Sequence, residues 1–171
     1  TTAMLLIVLS GFIGCQQDQI AGSSSNEAAD VDGSKFLLST EPEGARDVIA
    51  VREAAADGDD VLVVGRIGGG ENPWVEGRAA FSLVDNSLKA CSDIPGDMCK
   101  KPWDYCCETD KLPASTALIK VVGEDGDLVR TDARKLLNVK ELSTVVVKGK
   151  AQRDDTGNLV VLATGVYVVK Q

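Results

Sequence analysis

Residues 144–169 read T-V-V-V-K-G-K-A-Q-R-D-D-T-G-N-L-V-V-L-A-T-G-V-Y-V-V. Two runs rich in β-branched residues flank the polar segment 153–158, whose composition is that of a hairpin turn. The reading is a fourth strand over 144–151 and a long fifth strand over 159–169, with Gly165 marking a bend. Working outward from this hairpin, T-A-L-I-K-V-V at 116–122 is a third strand and R-A-A-F-S-L-V at 78–84 a second. V-L-V-V-G-R-I at 61–67 is a first strand, bent at Gly65. Residues 128–130 return as a short hairpin strand, and Thr131 or Asp132 caps a short helix over 133–137. A longer helix is expected upstream. Ser39, Pro42 and flanking acids form its start, Ala45, Val48 and Ile49 recur at helical spacing, and the acidic turn 57–60 ends it. Five strands with a short helix between the third and fourth follow the order of the OB-fold. The expected fold is therefore mostly β, a small five-stranded OB-like barrel with short helices and a cysteine-rich insertion between strands 2 and 3. A small β-sandwich is the alternative.

That insertion, within 90–110, reads C-S-D-I-P-G-D-M-C-K-K-P-W-D-Y-C-C from Cys91 to Cys107. It holds four of the chain's five cysteines. If the domain is exported, the default is a pair of disulfides, with Cys106 and Cys107 each joined to Cys91 or Cys99, because bonding two adjacent cysteines strains the peptide between them. Two connectivities are then open. The alternative is a zinc or iron–sulfur centre on Cys91, Cys99, Cys106 and Cys107, although the usual C-x2-C knuckle is missing. A redox-active pair is a third possibility, without the C-x-x-C spacing that favours it. With the disulfide reading, no cofactor is expected.

The chain contains no histidine. That removes histidine acid–base catalysis, Ser-His-Asp and Cys-His nucleophile sites and mixed Cys/His zinc sites. The net charge of −8 and an aromatic content of 4% argue against nucleic acid, whose binding draws on basic groups and stacking platforms. Gly68-Gly69-Gly70 follows a strand but leads into no Gly-Lys-Ser/Thr motif, so it reads as a plain turn. The acidic turns 57–60, 125–127 and 154–155 lack the spaced ligands of a calcium loop. A ligand, if there is one, is expected at the barrel mouth, among Asn72, Trp74, Arg78, Trp103, Asp104 and Tyr105. For Trp74 and Trp103 the favoured reading is plainer: both cover the barrel end as core.

The N-terminal part divides differently. Residues 4–13 are almost wholly apolar, too short to span a bilayer and of the length of a signal-peptide core. Phe12-Ile13-Gly14-Cys15 resembles the lipobox of bacterial lipoproteins, in which the cysteine is lipidated. Polar, small residues follow to Ser34, the composition of a flexible leash. The expected organisation is a signal segment over 1–14, lipidated Cys15 and a linker over 15–38, and the barrel domain over 39–171.

G-R-I-G-G, N-P-W-V-E-G-R-A-A-F, the P-W-D-Y-C-C segment and the terminal hairpin resemble those of small uncharacterised bacterial lipoproteins with an OB-like domain. The resemblance implies that fold and a lipid-anchored place in the cell envelope, on the periplasmic or surface face. It implies no chemistry. The expected function is a non-catalytic binding or scaffold module held to the membrane by lipid on Cys15, with an envelope ligand or protein as partner. The alternative is a metal–thiolate or redox module built on the four cysteines of the insertion.

Overall fold

The computed structural model describes residues 31–171. The expected signal segment and Cys15 lie outside the described residues. Strands β1 (Arg46–Asp47), β2 (Asp60–Ile67), β3 (Ala80–Val84), β4 (Thr116–Val121), β5 (Thr144–Arg153) and β6 (Leu159–Lys170) form one sheet. Its order is β1-β2-β3-β4-β6-β5, and β2 pairs with β5 to close it into a barrel. The β4–β6 pairing is parallel and the other barrel pairings are antiparallel. Helices are α1 (Val48–Ala54), α2 (Leu112–Ser115) and α3 (Ala133–Leu137). The five barrel strands β2–β6, with α3 between β4 and β5, have the OB-like arrangement expected.

Inward-facing residues alternate along the strands and fill the barrel with Val63, Ile67, Phe81, Leu83, Ile119 and Leu159, among others. The core is largely aliphatic, with Phe81 and Trp74 its aromatic members, so the strands must approach closely to fill it. Gly149 shows how closely. A β-carbon there would lie 2.2 Å from the Leu162 carbonyl oxygen. Beside it the β5–β6 register shifts: Lys148 faces Gly165, Gly149 faces Ala163, and Thr164 is left over as a bulge. Gly165 lacks a side chain for another reason, since a β-carbon would meet Leu38 at 2.8 Å.

α3 covers one barrel end with Ala133, Leu136 and Leu137 buried. Asp132 caps it by accepting from the Arg134 N–H at 2.9 Å, and Asn138 ends it at φ 50. α1 is only seven residues long and is held by groups distant in sequence. The buried Asp85 accepts from the Ile49 N–H at 2.8 Å, and the Arg153 guanidinium donates to the Arg52 and Ala55 carbonyls at its other end.

Three sequence expectations are corrected. The first helix does not start near Ser39, because Gly44 takes φ 84 in a turn and Arg46–Asp47 pair with β2 in parallel. Residues 128–130 make an isolated bridge, Val122 to Leu128, in place of a strand. The last residues of the expected linker dock on the barrel. Val31 and Phe36 pack on the core, a 3₁₀ turn spans Gly33–Phe36, and the Leu38 N–H donates to Val166 at 2.9 Å.

Gly149→Ala is expected to destabilise the barrel by at least about 1–3 kcal/mol, the usual cost of overpacking, read as a lower midpoint in urea unfolding. A second expectation concerns the β5–β6 turn. Asp154 accepts from the N–H groups of Asn158 and Thr156 and from the Thr156 hydroxyl. The Asn158 N–H above all, then the Thr156 hydroxyl, holds its carboxyl down at about 2. The folded value lies below the unfolded one, so the stabilisation is complete above the unfolded pKa of about 4 and is lost as pH falls toward the folded value. Thermal melts of wild type and Asp154→Ala should therefore differ at pH 5 and converge as pH falls toward 2.

Candidate functional site

The residues between β3 and β4 form a lobe on the barrel end where Arg66 of β2 faces Thr144 of β5. Two short segments build its frame. The Cys91 N–H donates to the Asp104 carbonyl at 2.8 Å, and the Ser92 N–H to the Pro102 carbonyl at 2.9 Å. This pairing brings Cys91 beside Cys106. Ile94-Pro95-Gly96-Asp97 is a tight turn with Gly96 at φ 84 and an Asp97 N–H to Ile94 carbonyl bond of 3.1 Å. The turn aims Asp97 back at the next segment, where its carboxylate accepts from the Cys99 N–H at 2.7 Å. Cys99 is thereby placed beside the first pair.

Ligand atoms of Cys91, Cys99 and Cys106 all lie within 4.8 Å of one another. The Cys91 and Cys106 sulfurs are 3.3 Å apart, and those of Cys106 and Cys107 are 4.0 Å apart. Cys107 Sγ also lies 4.0 Å from Asp97 Oδ2. Cys91 is buried, Cys99 half-buried, and Cys106 and Cys107 exposed. Burial, and then the hydrogen bond with Cys106, pushes the Cys91 thiol up to about 12. Among the described residues no sulfur pair stands at the disulfide distance of about 2.05 Å, which corrects the expected pair of bonds. The sulfurs converge as a group of three, and Cys107 is turned toward Asp97.

The lobe is clamped to the barrel by a plug and two ion pairs. Tyr105 is fully buried with Val84, Leu88 and Ala90, and Leu112 and Leu142 pack on that cluster. A β-carbon at Gly68 would lie 2.7 Å from the Tyr105 ring, so only glycine lets the ring seat there. Arg66 Nη1 donates to Asp93 Oδ2, which also accepts from the Ala90 N–H. Burial pushes the Asp93 carboxyl up, but Arg66 and these hydrogen bonds outweigh it and hold the group below its ordinary value. Lys101 Nζ pairs with Glu71 at 2.7 Å, and Trp103 Nε1 donates to the Glu71 carbonyl at 3.1 Å.

The six residues expected at a ligand site do not form one group. Trp103, Asp104 and Tyr105 belong to the lobe, and Asp104 accepts from the Tyr105 N–H at 2.7 Å. Asn72 lies next to Glu71 but turns its side chain to the Trp74 N–H at 3.1 Å. Trp74 is core, as favoured. It is 6% exposed, packs on Phe81 at 5.9 Å between ring centroids, lies under the Arg134 guanidinium, and donates to Glu141 at 2.7 Å. Arg78 is exposed and donates to the Gly77 carbonyl. The clamp residues Arg66, Glu71, Asp93 and Lys101 were not anticipated. Of the four, Asp93 and Lys101 lie inside the cysteine loop that the sequence singles out.

A separate hollow of about 720 Å³ lies toward the opposite end of the β2–β5 pair. Leu62, Leu162 and Thr164 line it with Arg46, Lys148 and Lys150, and Asp60 and Glu124 add negative charge. Lys150 is paired with Asp60 at 3.0 Å.

No family model matches the chain, and no curated protein matches it. Solved structures do. One is a mitochondrial single-stranded DNA binding protein from S. cerevisiae, at 17% identity and a TM-score of 0.37, covering 68% of this chain and 99% of that one. Another is a putative aspartyl-tRNA synthetase from Leishmania major Friedlin, at 11% identity and a TM-score of 0.41, covering 80% of this chain and 23% of that one. The exclusion of nucleic acid drawn from composition does not stand, because binding depends on the charge of single faces and not on the chain's total. The net charge of the whole chain fails to describe single faces, since Arg46, Lys148 and Lys150 share one hollow despite lying far apart in sequence.

The Tyr105 hydroxyl has no hydrogen-bond partner among the described residues. An unpaired buried hydroxyl costs about 1–3 kcal/mol. Tyr105→Phe is therefore expected to be neutral or stabilising in chemical denaturation, and a clear loss would reveal a partner for the hydroxyl.

Proposed function

We propose that this chain is a lipid-anchored cell-envelope protein that binds and does not transform, tethered through Cys15 with its OB-like barrel serving as a mount for the thiol lobe. One observation carries the binding part. The lobe is seated through buried Tyr105, Arg66–Asp93 and Lys101–Glu71, so its three converging sulfurs are held in a fixed place on the barrel. A site for a ligand needs such preorganised support. The anchoring part rests on the order of apolar run, Gly14-Cys15 and polar leash in the sequence.

A second reading, of the metal–thiolate class, is favoured by the mutual 4.8 Å spacing of Cys91, Cys99 and Cys106. Cysteine at all three positions selects thiophilic ions of the zinc or iron–sulfur class over hard cations.

The test is intact mass of the protein from membranes of a lipoprotein-processing bacterium, under non-reducing conditions, with alkylation and metal analysis of the same sample. The expected result is a diacylglyceryl mass on Cys15 that vanishes in Cys15→Ser. Wild-type protein without that mass would overturn the anchor. Turnover of a substrate by the purified protein, lost on substitution of a lobe residue, would overturn the non-catalytic reading.

A further inference from the structure

The thiol group has a geometric property that neither a staple nor a closed structural metal site requires. In a tetrahedral zinc–thiolate site each metal–sulfur bond is about 2.3 Å, which makes each sulfur–sulfur edge about 3.8 Å. The spacing of Cys91, Cys99 and Cys106 is of this size, with 3.3 Å for Cys91–Cys106 and every ligand-atom pair inside 4.8 Å. Three sulfurs thus already form one triangular face of such a tetrahedron. Cys107 does not complete it. Its sulfur is 4.0 Å from Cys106 but falls outside the mutually close group, and it lies as near to Asp97 Oδ2.

The three donors differ in exposure in a consistent way. Cys91 is 2% exposed and Cys106 is exposed, so one corner of the triangle is set in the lobe and another is open to solvent. Closed structural zinc sites use four protein ligands, whereas sites that exchange or activate a ligand keep three and leave one position free. The support is also present: Asp97 fixes Cys99 through its N–H, and the Asp104 carbonyl fixes Cys91 through its own. Such outer contacts orient the donors of a metal site.

We infer that the lobe is an open three-thiolate site for a soft divalent ion of the zinc class, held by Cys91, Cys99 and Cys106, with a fourth, solvent-facing position for an exogenous donor. This rests on the metal–thiolate reading above and adds the ligand count and the free position. The ion replaces the three thiol protons, which pass to solvent. No sulfur is oxidised. The incoming donor at the fourth position is a small thiol, an anion or water, so the site accepts a ligand or passes its ion to a thiol-bearing acceptor. Cys107 stands beside that position without occupying it.

The experiment uses the full chain reduced with a phosphine under nitrogen and titrated with Co²⁺ and then Zn²⁺. Wild type is expected to take one Co²⁺ with a tetrahedral visible spectrum that Zn²⁺ abolishes. The sulfur-to-cobalt charge-transfer intensity scales with the number of bound thiolates. Cys107→Ser is expected to keep that intensity unchanged, and Cys106→Ser and Cys99→Ser to lose stoichiometric binding. A small monothiol is expected to shift the visible bands of wild type and Cys107→Ser alike. A loss of about a quarter of the charge-transfer intensity in Cys107→Ser would mean four protein thiolates. That result would overturn the open position while leaving the metal reading intact. No Co²⁺ or Zn²⁺ binding by reduced, folded wild type would overturn both.

Discussion

The pairing of β2 with β5 is the constraint on which the rest of the molecule depends. Asp60 to Arg66 run against Lys150 to Thr144 without a break in register, and this ladder turns an open sheet into a barrel. β2 serves three partners. It accepts β1 in parallel, β5 along most of its length, and β3 only at Arg66 and Ile67. Closure of this kind removes free sheet edges and fixes where the flanking segments leave the barrel. The β2–β3 loop and the thiol lobe consequently meet at one end, and Arg66, the last residue of the ladder, is also the residue that reaches Asp93.

The lobe adds little core of its own. Its apolar cluster is small, and Tyr105 is the largest side chain in it. Leu142, which packs on that cluster, takes φ 66, a left-handed conformation unusual for a branched aliphatic residue. Strain of this sort persists only where surrounding contacts outweigh it. Here those contacts are the buried Tyr105 cluster and the Leu142 N–H bond to the Ile67 carbonyl at 2.9 Å. The exposed ion pairs add register more than stability, because pairs in solvent are worth about 0–1 kcal/mol.

The barrel was legible because β2, β4, β5 and β6 are rich in β-branched residues and β3 is an apolar run, with glycine and aspartate in several of the turns. α3 was legible to the residue, since Asp132 is a local cap and Leu136–Leu137 a local apolar pair. α1 was misread at its start because its stabilising groups are not local: Asp85 and Arg153 lie far along the chain. Gly149 was passed over, since nothing in V-V-V-K-G-K-A reveals the carbonyl facing it. For the site, composition identified which cysteines matter but not their partners. Convergence of Cys91, Cys99 and Cys106 depends on backbone pairing between 91–92 and 102–104 and on one aspartate turn, and no spacing rule encodes that. Tyr105 was placed at a mouth when it is a plug, because burial of an aromatic residue depends on the glycine opposite it.

The docking of residues 31–38 has a mechanical consequence. Gly33 lies under the Leu136 carbonyl, Leu38 fills the space left by Gly165, and one hydrogen bond ties Leu38 to Val166. Traction arriving from upstream is borne first by this clasp, in which few bonds hold, and only afterwards by the many-bonded ladders of β5 and β6. Peeling the eight residues away adds roughly 25 Å of extended chain before any barrel strand is loaded. Under such a load the segment would act as a mechanical fuse, lengthening the reach of the domain before the β5–β6 ladder is strained.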